Sequence, residues 1–213
     1  MLRVNDRGSG QRDKASTEAG MGQWGQGIEA DIERVVDTIL ARPDLDRARV
    51  VALGTSYGGS SATLLTLRNP DRYRAAVAIA APTDLLLSFT CGDITHDVDA
   101  QERLTQWIGD PRTDPATHKR VSPVYRHADL QRPLLLVHDQ GDQRVLIEHA
   151  LRLKELLRVS RGVELPMIET ADKQHGIGQS DTAVAAWPRI AAFLDQALAG
   201  EGPWAREMAG GAW

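Results

Sequence analysis

Three stretches of this chain, "RVVAL" at 49–53, "AAVAIAA" at 75–81 and "PLLLVH" at 133–138, are nearly continuous apolar runs. A strand with one wet face alternates apolar and polar residues, whereas an unbroken run belongs to a strand covered on both faces, as in a parallel sheet flanked by helices. Shorter runs, "LRV" at 2–4 and "ELPMIE" at 164–169, predict two further strands. Between the runs the period changes. "GIEADIERVVDTILARP" sets Ile28, Ile32, Val35, Val36 and Ile39 on one helical stripe and stops before Pro43. "GGSSATLLTLRNP" also ends at a proline. "RVLIEHALRLKELLRVS" carries Leu146, Ala150, Leu153, Leu156 and Leu157 at helical spacing, and "DTAVAAWPRIAAFLDQAL" closes the pattern, with Pro188 kinking that helix or setting its first turn. Strand alternating with helix predicts an α/β layer fold around a mainly parallel sheet, with helices on both faces.

The expected organisation is one α/β domain over 1–199 and a Gly-rich tail over 200–213, whose Trp204 and Trp213 are candidates to dock on a surface groove. Residues from about 88 to 128 are polar and irregular, and read as an inserted cap with one helix around "DAQERLTQWIG". There is no internal repeat.

Charge and cysteine usage narrow the function. The net charge is −4 and no segment gathers Lys and Arg without interleaved acids, so nucleic acid is not an expected partner. Cys91 is the single cysteine, which excludes an intramolecular disulfide and a thiolate metal cluster; its neighbours "SFTCGDI" supply no base to activate it. No apolar run approaches the ~20 residues of a membrane span, and "MLRVNDRGSG" lacks the apolar core of a signal peptide, so no membrane contact and a cytoplasmic location are expected.

The stretch "VVALGTSYGGSS" carries the chemistry. It places Ser56 in G-x-S-x-G, with a strand before it and a helix after it. In a nucleophile elbow the serine takes a strained backbone at that junction, its hydroxyl projects above the sheet edge, and small neighbours let the turn close. Gly58 is expected to let the following helix pack tightly behind Ser56. A serine hydroxyl needs a histidine base and usually a carboxylate to orient it, following in the order Ser, acid, His after later strands. His175, in "TADKQHGIG" after the last strand, is the histidine in that position. His96, His118, His127, His138 and His149 are expected to be structural or exposed. Asp139, Asp142 and Asp172 all remain candidates for the acid.

"GTSYGG", "PLLLVHDQGDQRV" and "DKQHGI", in this order, resemble the catalytic domain of the prolyl oligopeptidase family of serine peptidases, with its dipeptidyl-peptidases and acylaminoacyl-peptidases. "NDRGSG", the tryptophan ahead of "IEADIERVVDTI", and "SPVYRHAD" extend the resemblance over nearly the whole chain. It implies an α/β-hydrolase fold, with Ser56 as nucleophile, His175 as base and Asp142 as acid. It further implies the Tyr57 backbone N–H as an oxyanion donor, and Tyr57 and Val145 at the pocket for the side chain before the cut bond. The implied reaction is hydrolysis of peptide substrates through an acyl-enzyme, with no metal or organic cofactor.

The departures from the family carry expectations too. Neither the family's N-terminal β-propeller nor its first hydrolase strands are visible, and with those strands goes a loop that gives a tyrosine hydroxyl to the oxyanion hole. The chain is therefore expected to be the C-terminal catalytic part of a longer protein, or to expose a sheet edge and associate with its own copies. "TDLLLSFTCGD" lacks the tyrosines that line a proline pocket in some members, and Asp139 stands where the family usually has glycine, which is expected to stiffen that turn. Two alternatives accompany the peptidase: a carboxylesterase-type hydrolase, since this fold hosts many chemistries, and a truncated, catalytically silent domain.

Overall fold

Each of the long apolar runs becomes a strand with a layer of helix on either side. The computed structural model describes residues 1–9 and 13–201. Strands β1 (Val50–Thr55), β2 (Tyr73–Ile79), β3 (Leu134–Asp139) and β4 (Met167–Thr170) form one sheet in the order β1-β2-β3-β4, every adjacent pair parallel. The helices, in chain order, are α1 (Lys14–Glu18), α2 (Gly27–Leu40), α3 (Tyr57–Arg68), α4 (Val98–Ile108), α5 (Pro115–Arg120), α6 (Glu148–Arg161), α7 (Asp181–Val184) and α8 (Ala186–Ala199).

Side chains alternate across a pleated strand, so the two central strands divide their residues between two cores. Ala76, Ala78, Leu134 and Leu136 meet Leu64 and Leu67 of α3 and Ala150, Leu153 and Leu157 of α6. Ala75, Val77, Ile79, Leu135 and Val137 meet Ala186, Ile190, Phe193 and Ala197 of α8 on the opposite face. A fully buried leucine or isoleucine contributes about 1.5–3 kcal/mol, so these two layers are what hold the strand ends in register. α2 joins through Ile32, which packs with Ala52, Ala62, Leu65 and Tyr73.

Four expectations need correction or refinement. "LRV" forms no strand: Leu2 is 43 % exposed, and three residues offer too little burial to hold a ladder. Instead Arg7 ties this segment to α2 by a bidentate pair with Asp31, at 2.6 and 2.9 Å. Leu156 of α6 points outward rather than into the core. The region 88–128 is more ordered than its polarity suggested. It contains α4 and also α5, which Asp114 caps and Pro115 starts, and it docks through Trp107, Ile108 and Val121 against Trp24 and Leu85. Pro188 sits in the first turn of α8, where its missing N–H leaves no gap because first-turn amides lack helical acceptors.

No helix among the described residues is long and apolar enough to cross a membrane. Trp204 and Trp213 lie outside the described residues.

Candidate active site

Ser56 stands at the junction of β1 and α3 with φ 56° and ψ −125°, a left-handed backbone that a non-glycine residue adopts only under constraint. Its N–H donates to the Ile79 carbonyl at 2.8 Å, and its own carbonyl accepts from Gly59 at 2.9 Å, so the strained residue is fixed from both sides. Close approach of strand and helix supplies the constraint. A methyl group at Gly54 would lie 2.2 Å from the Gly58 carbonyl, and one at Gly59 would lie 2.9 Å from the Ala81 side chain. A Cβ at Gly58 would meet nothing within 4 Å. The tight packing attributed to Gly58 therefore belongs to Gly54 and Gly59.

His175 lies in the loop after β4, and Asp142 in the loop after β3. Their side chains meet, with the His175 Nδ1 2.8 Å from Asp142 Oδ2. The other carboxylate oxygen accepts from the N–H groups of Arg144 at 2.9 Å and Val145 at 3.1 Å. Burial pushes this carboxyl up, but His175 and the two backbone donors together hold it below the usual carboxylate range. An ionised acceptor favours the N–H on the imidazole Nδ1, and Nε2 then faces away from Asp142. The Asp142 side chain is wholly buried and that of His175 is 25 % exposed, so the couple opens to solvent on the histidine side. The residue after His175, Gly176 (φ 90°), is backed against the residue before Ser56: a Cβ there would touch the Thr55 side chain at 3.1 Å. Ser56, Asp142 and His175 thus stand in loops at the same edge of the sheet, beyond the C-terminal ends of β1, β3 and β4.

The other candidate acids and histidines sit elsewhere. Asp172 gives its N–H to Asp139 Oδ2 at 2.6 Å. Asp139 is buried and receives a set of loop hydrogen bonds. His138 is buried with Nε2 2.7 Å from the Val145 carbonyl, which makes Nε2 the protonated nitrogen; burial pulls its pKa down, so its 3.8 Å approach to Asp142 is that of a neutral ring. His118 and His127 bond neighbouring carbonyls through Nδ1, and His96 is exposed. Cys91 is half-buried, and burial raises its thiol pKa.

His149 of α6 is buried, its Nδ1 accepting from the Asp84 N–H at 3.3 Å, and burial pushes its pKa down to about 3 from 6.5. The unfolded chain binds this proton first as pH falls. Its stabilising share is therefore complete above pH 6.5 and is lost progressively toward the folded value of about 3. In urea unfolding between pH 6 and pH 5, His149→Gln is expected to flatten the pH dependence of stability by about 1.4 kcal/mol per pH unit. Equal slopes in the two proteins would contradict a neutral buried ring.

Tyr57 opens α3, where a first-turn N–H has no acceptor within the helix. Its ring stacks on Trp24, with centroids 4.2 Å apart, and its hydroxyl donates to Glu29 Oε1 at 2.6 Å. Glu29 is buried and its pKa is raised, burial being the main cause. This clamp pins the residue after the serine to α2, and it was not anticipated. The available signal was a carboxylate three residues before Ile32 and seven before Val36, on the inward stripe of α2. Val145 is buried, gives its N–H to Asp142 and accepts from His138.

The profile of the prolyl oligopeptidase family matches residues 1–201. Dipeptidyl peptidase family member 6 of Caenorhabditis elegans is 24 % identical over 204 residues, covering 94 % of this chain and 27 % of the relative. Dipeptidyl aminopeptidase BIII of Pseudoxanthomonas mexicana is 27 % identical, over 94 % of this chain and 29 % of its own. Among solved structures, the acylaminoacyl peptidase of Pyrococcus horikoshii superposes with a TM-score of 0.79 at 22 % identity, over 92 % of this chain and 32 % of that one. The chain therefore spans less than a third of the length of these proteins. The fold they share with it is that of the α/β hydrolases.

Proposed function

This chain belongs to the prolyl oligopeptidase family, and on that premise we propose that it carries out serine-type hydrolysis of peptide bonds in short peptides. The observation that carries the reading is the strained Ser56 at the start of α3 on the sheet edge that also presents the Asp142–His175 couple, its carboxylate buried and its imidazole open to solvent. The similarity to proteins named dipeptidyl peptidase and dipeptidyl aminopeptidase supports short peptides as the substrate class.

In this reaction Ser56 Oγ bonds to the substrate carbonyl carbon while its proton passes to His175 Nε2. The carbonyl oxygen gathers negative charge, which the Tyr57 N–H stabilises at the N-terminus of α3. The carbon–nitrogen bond then breaks, and the leaving amine takes the proton from Nε2. Water adds to the resulting ester by the same route in reverse, His175 accepting its proton and returning it to Ser56 as the acid departs. Asp142 keeps its charge throughout: it holds Nδ1–H and stabilises the transient imidazolium.

A fluorophosphonate probe tests the assembly, since it phosphonylates only an activated serine. The wild-type protein is expected to label at Ser56, and Ser56→Ala and His175→Ala to lose that labelling. Folded wild-type protein that stays unlabelled would overturn the proposal. A panel of peptide amides and simple esters then separates a peptidase from an esterase.

A further inference from the structure

We propose that Asp139, a carboxylate at the end of β3 with no part in the chemistry, is the latch that positions the His175 loop, and so is a positioning residue for the reaction. The inference rests on the proposed roles of Ser56 and His175, but the latch itself is a statement about geometry. Asp139 is 1 % exposed. Its Oδ1 accepts from the Gly141 N–H at 2.8 Å, within its own loop. Its Oδ2 accepts from the Thr170 hydroxyl at 2.8 Å and from the Asp172 N–H at 2.6 Å, both in the segment that leads into His175. One carboxylate thus clasps the loop carrying Asp142 to the loop carrying His175.

The clasp answers a local need. Beyond the last β3–β4 pair, Asp139 with Thr170, the ladder ends, and the backbone amides of the next residues need other acceptors. Lys173 takes a left-handed φ of 55°, two residues before His175, and a methyl group at Gly141 would lie 2.8 Å from the Lys173 side chain. The two loops therefore press together over a strained residue, and such a conformation persists only where its surroundings over-determine it. Burial pushes the Asp139 carboxyl up, but the Asp172, Thr170, Gly141 and Lys173 donors outweigh this and hold it below its usual value, consistent with an ionised acceptor. A glycine here offers none of these bonds.

Asp139→Asn keeps the shape but turns an amide N–H₂ toward N–H and O–H donors. Thr170→Val removes one bond, and Thr170→Ser keeps it. Two readouts are taken on each folded variant: the imidazole ¹⁵N–¹H resonance of His175, assigned with His175→Ala, and the saturable rate of fluorophosphonate labelling. Asp139→Asn is expected to abolish or broaden the Nδ1–H resonance. It should also slow the maximal labelling rate about a hundredfold, the scale of an ångström-level misplacement, with the half-saturating probe concentration unchanged. Thr170→Val should move both readouts in the same direction by less, and Thr170→Ser should leave both near wild type. If Asp139→Asn does not fold, the Thr170 pair decides.

Variants that melt earlier but keep the wild-type resonance and rate would reduce Asp139 to a stability role and overturn the latch. A wild-type protein that never labels, yet loses its His175 resonance in Asp139→Asn, would retain the latch and overturn the serine chemistry.

Discussion

Asp142→Asn is expected to slow acylation by about 10⁴-fold while leaving the fold in place. The contrast follows from the two ends of the carboxylate. Oδ1 accepts from the Arg144 and Val145 N–H groups, and an asparagine oxygen can keep both bonds and with them the turn into α6. Oδ2 faces His175 Nδ1 at 2.8 Å, and there the amide N–H₂ is a donor. The imidazole responds by giving up its Nδ1 proton and carrying it on Nε2 instead. It then presents N–H where Ser56 needs a lone pair. The loss is in tautomer and charge, so it should appear in the maximal rate of fluorophosphonate labelling or of ester turnover, with unfolding temperature little changed. A drop of less than about tenfold would mean that Asp142 does not orient the base, since the wrong tautomer alone costs several powers of ten.

Much of the candidate site was legible because its residues lie in short motifs with a definite place in the fold. Ser56 sits between an apolar run and a helical pattern, and that context carried the strained elbow. His175 was recognisable as the histidine in a loop after the last strand. The acid was different: three aspartates lie close to the expected position, and neither spacing nor composition separates them. Only the resemblance favoured Asp142, and the contact with His175 is a long-range fact, 33 residues apart in sequence.

What escaped the sequence depends on three-dimensional closeness between segments of ordinary appearance. Glu29 reads as a helix-surface carboxylate until the Tyr57 ring is seen stacked on Trp24 with its hydroxyl on Glu29. Asp139 was noticed as a residue out of place, but the partners that make it a latch, Thr170 at the end of β4 and Asp172 just beyond it, lie 31 and 33 residues away in sequence. "LRV" failed as a strand for the converse reason: the local pattern was right, but a strand exists only through its neighbour. The ladder counts pairs, and β1 has a paired neighbour on one side only, β2, among the described residues. A short β-like stretch holds little structure by itself, because its stability lies almost wholly in packing and pairing.

Among the three glycines around Ser56, substitution by alanine should separate sharply although the motif treats them alike. Gly54→Ala is expected to cost about 3 kcal/mol or more, because overpacking against an unyielding neighbour lies at the upper end of such effects. The methyl would meet the Gly58 carbonyl carbon and oxygen at 2.2 Å and its Cα at 2.8 Å. These are backbone atoms of the first turn of α3, so no side-chain rotation relieves the clash. β1 would have to leave its register with β2, or α3 would have to lift and carry Ser56 with it. Gly59→Ala presses on Ala81 at 2.9 Å and on the backbone of Gly54 and Ile79 at 3.1 Å, a milder conflict shared among three neighbours, and should fall in between. Gly58→Ala meets open space and gains helix propensity, so its stability should stay within about 1 kcal/mol of wild type. Urea melts of the three variants measure the order directly. Equal losses at 54 and 58 would mean that the elbow is held by something other than the close approach of strand and helix, and that the strain at Ser56 has a different source.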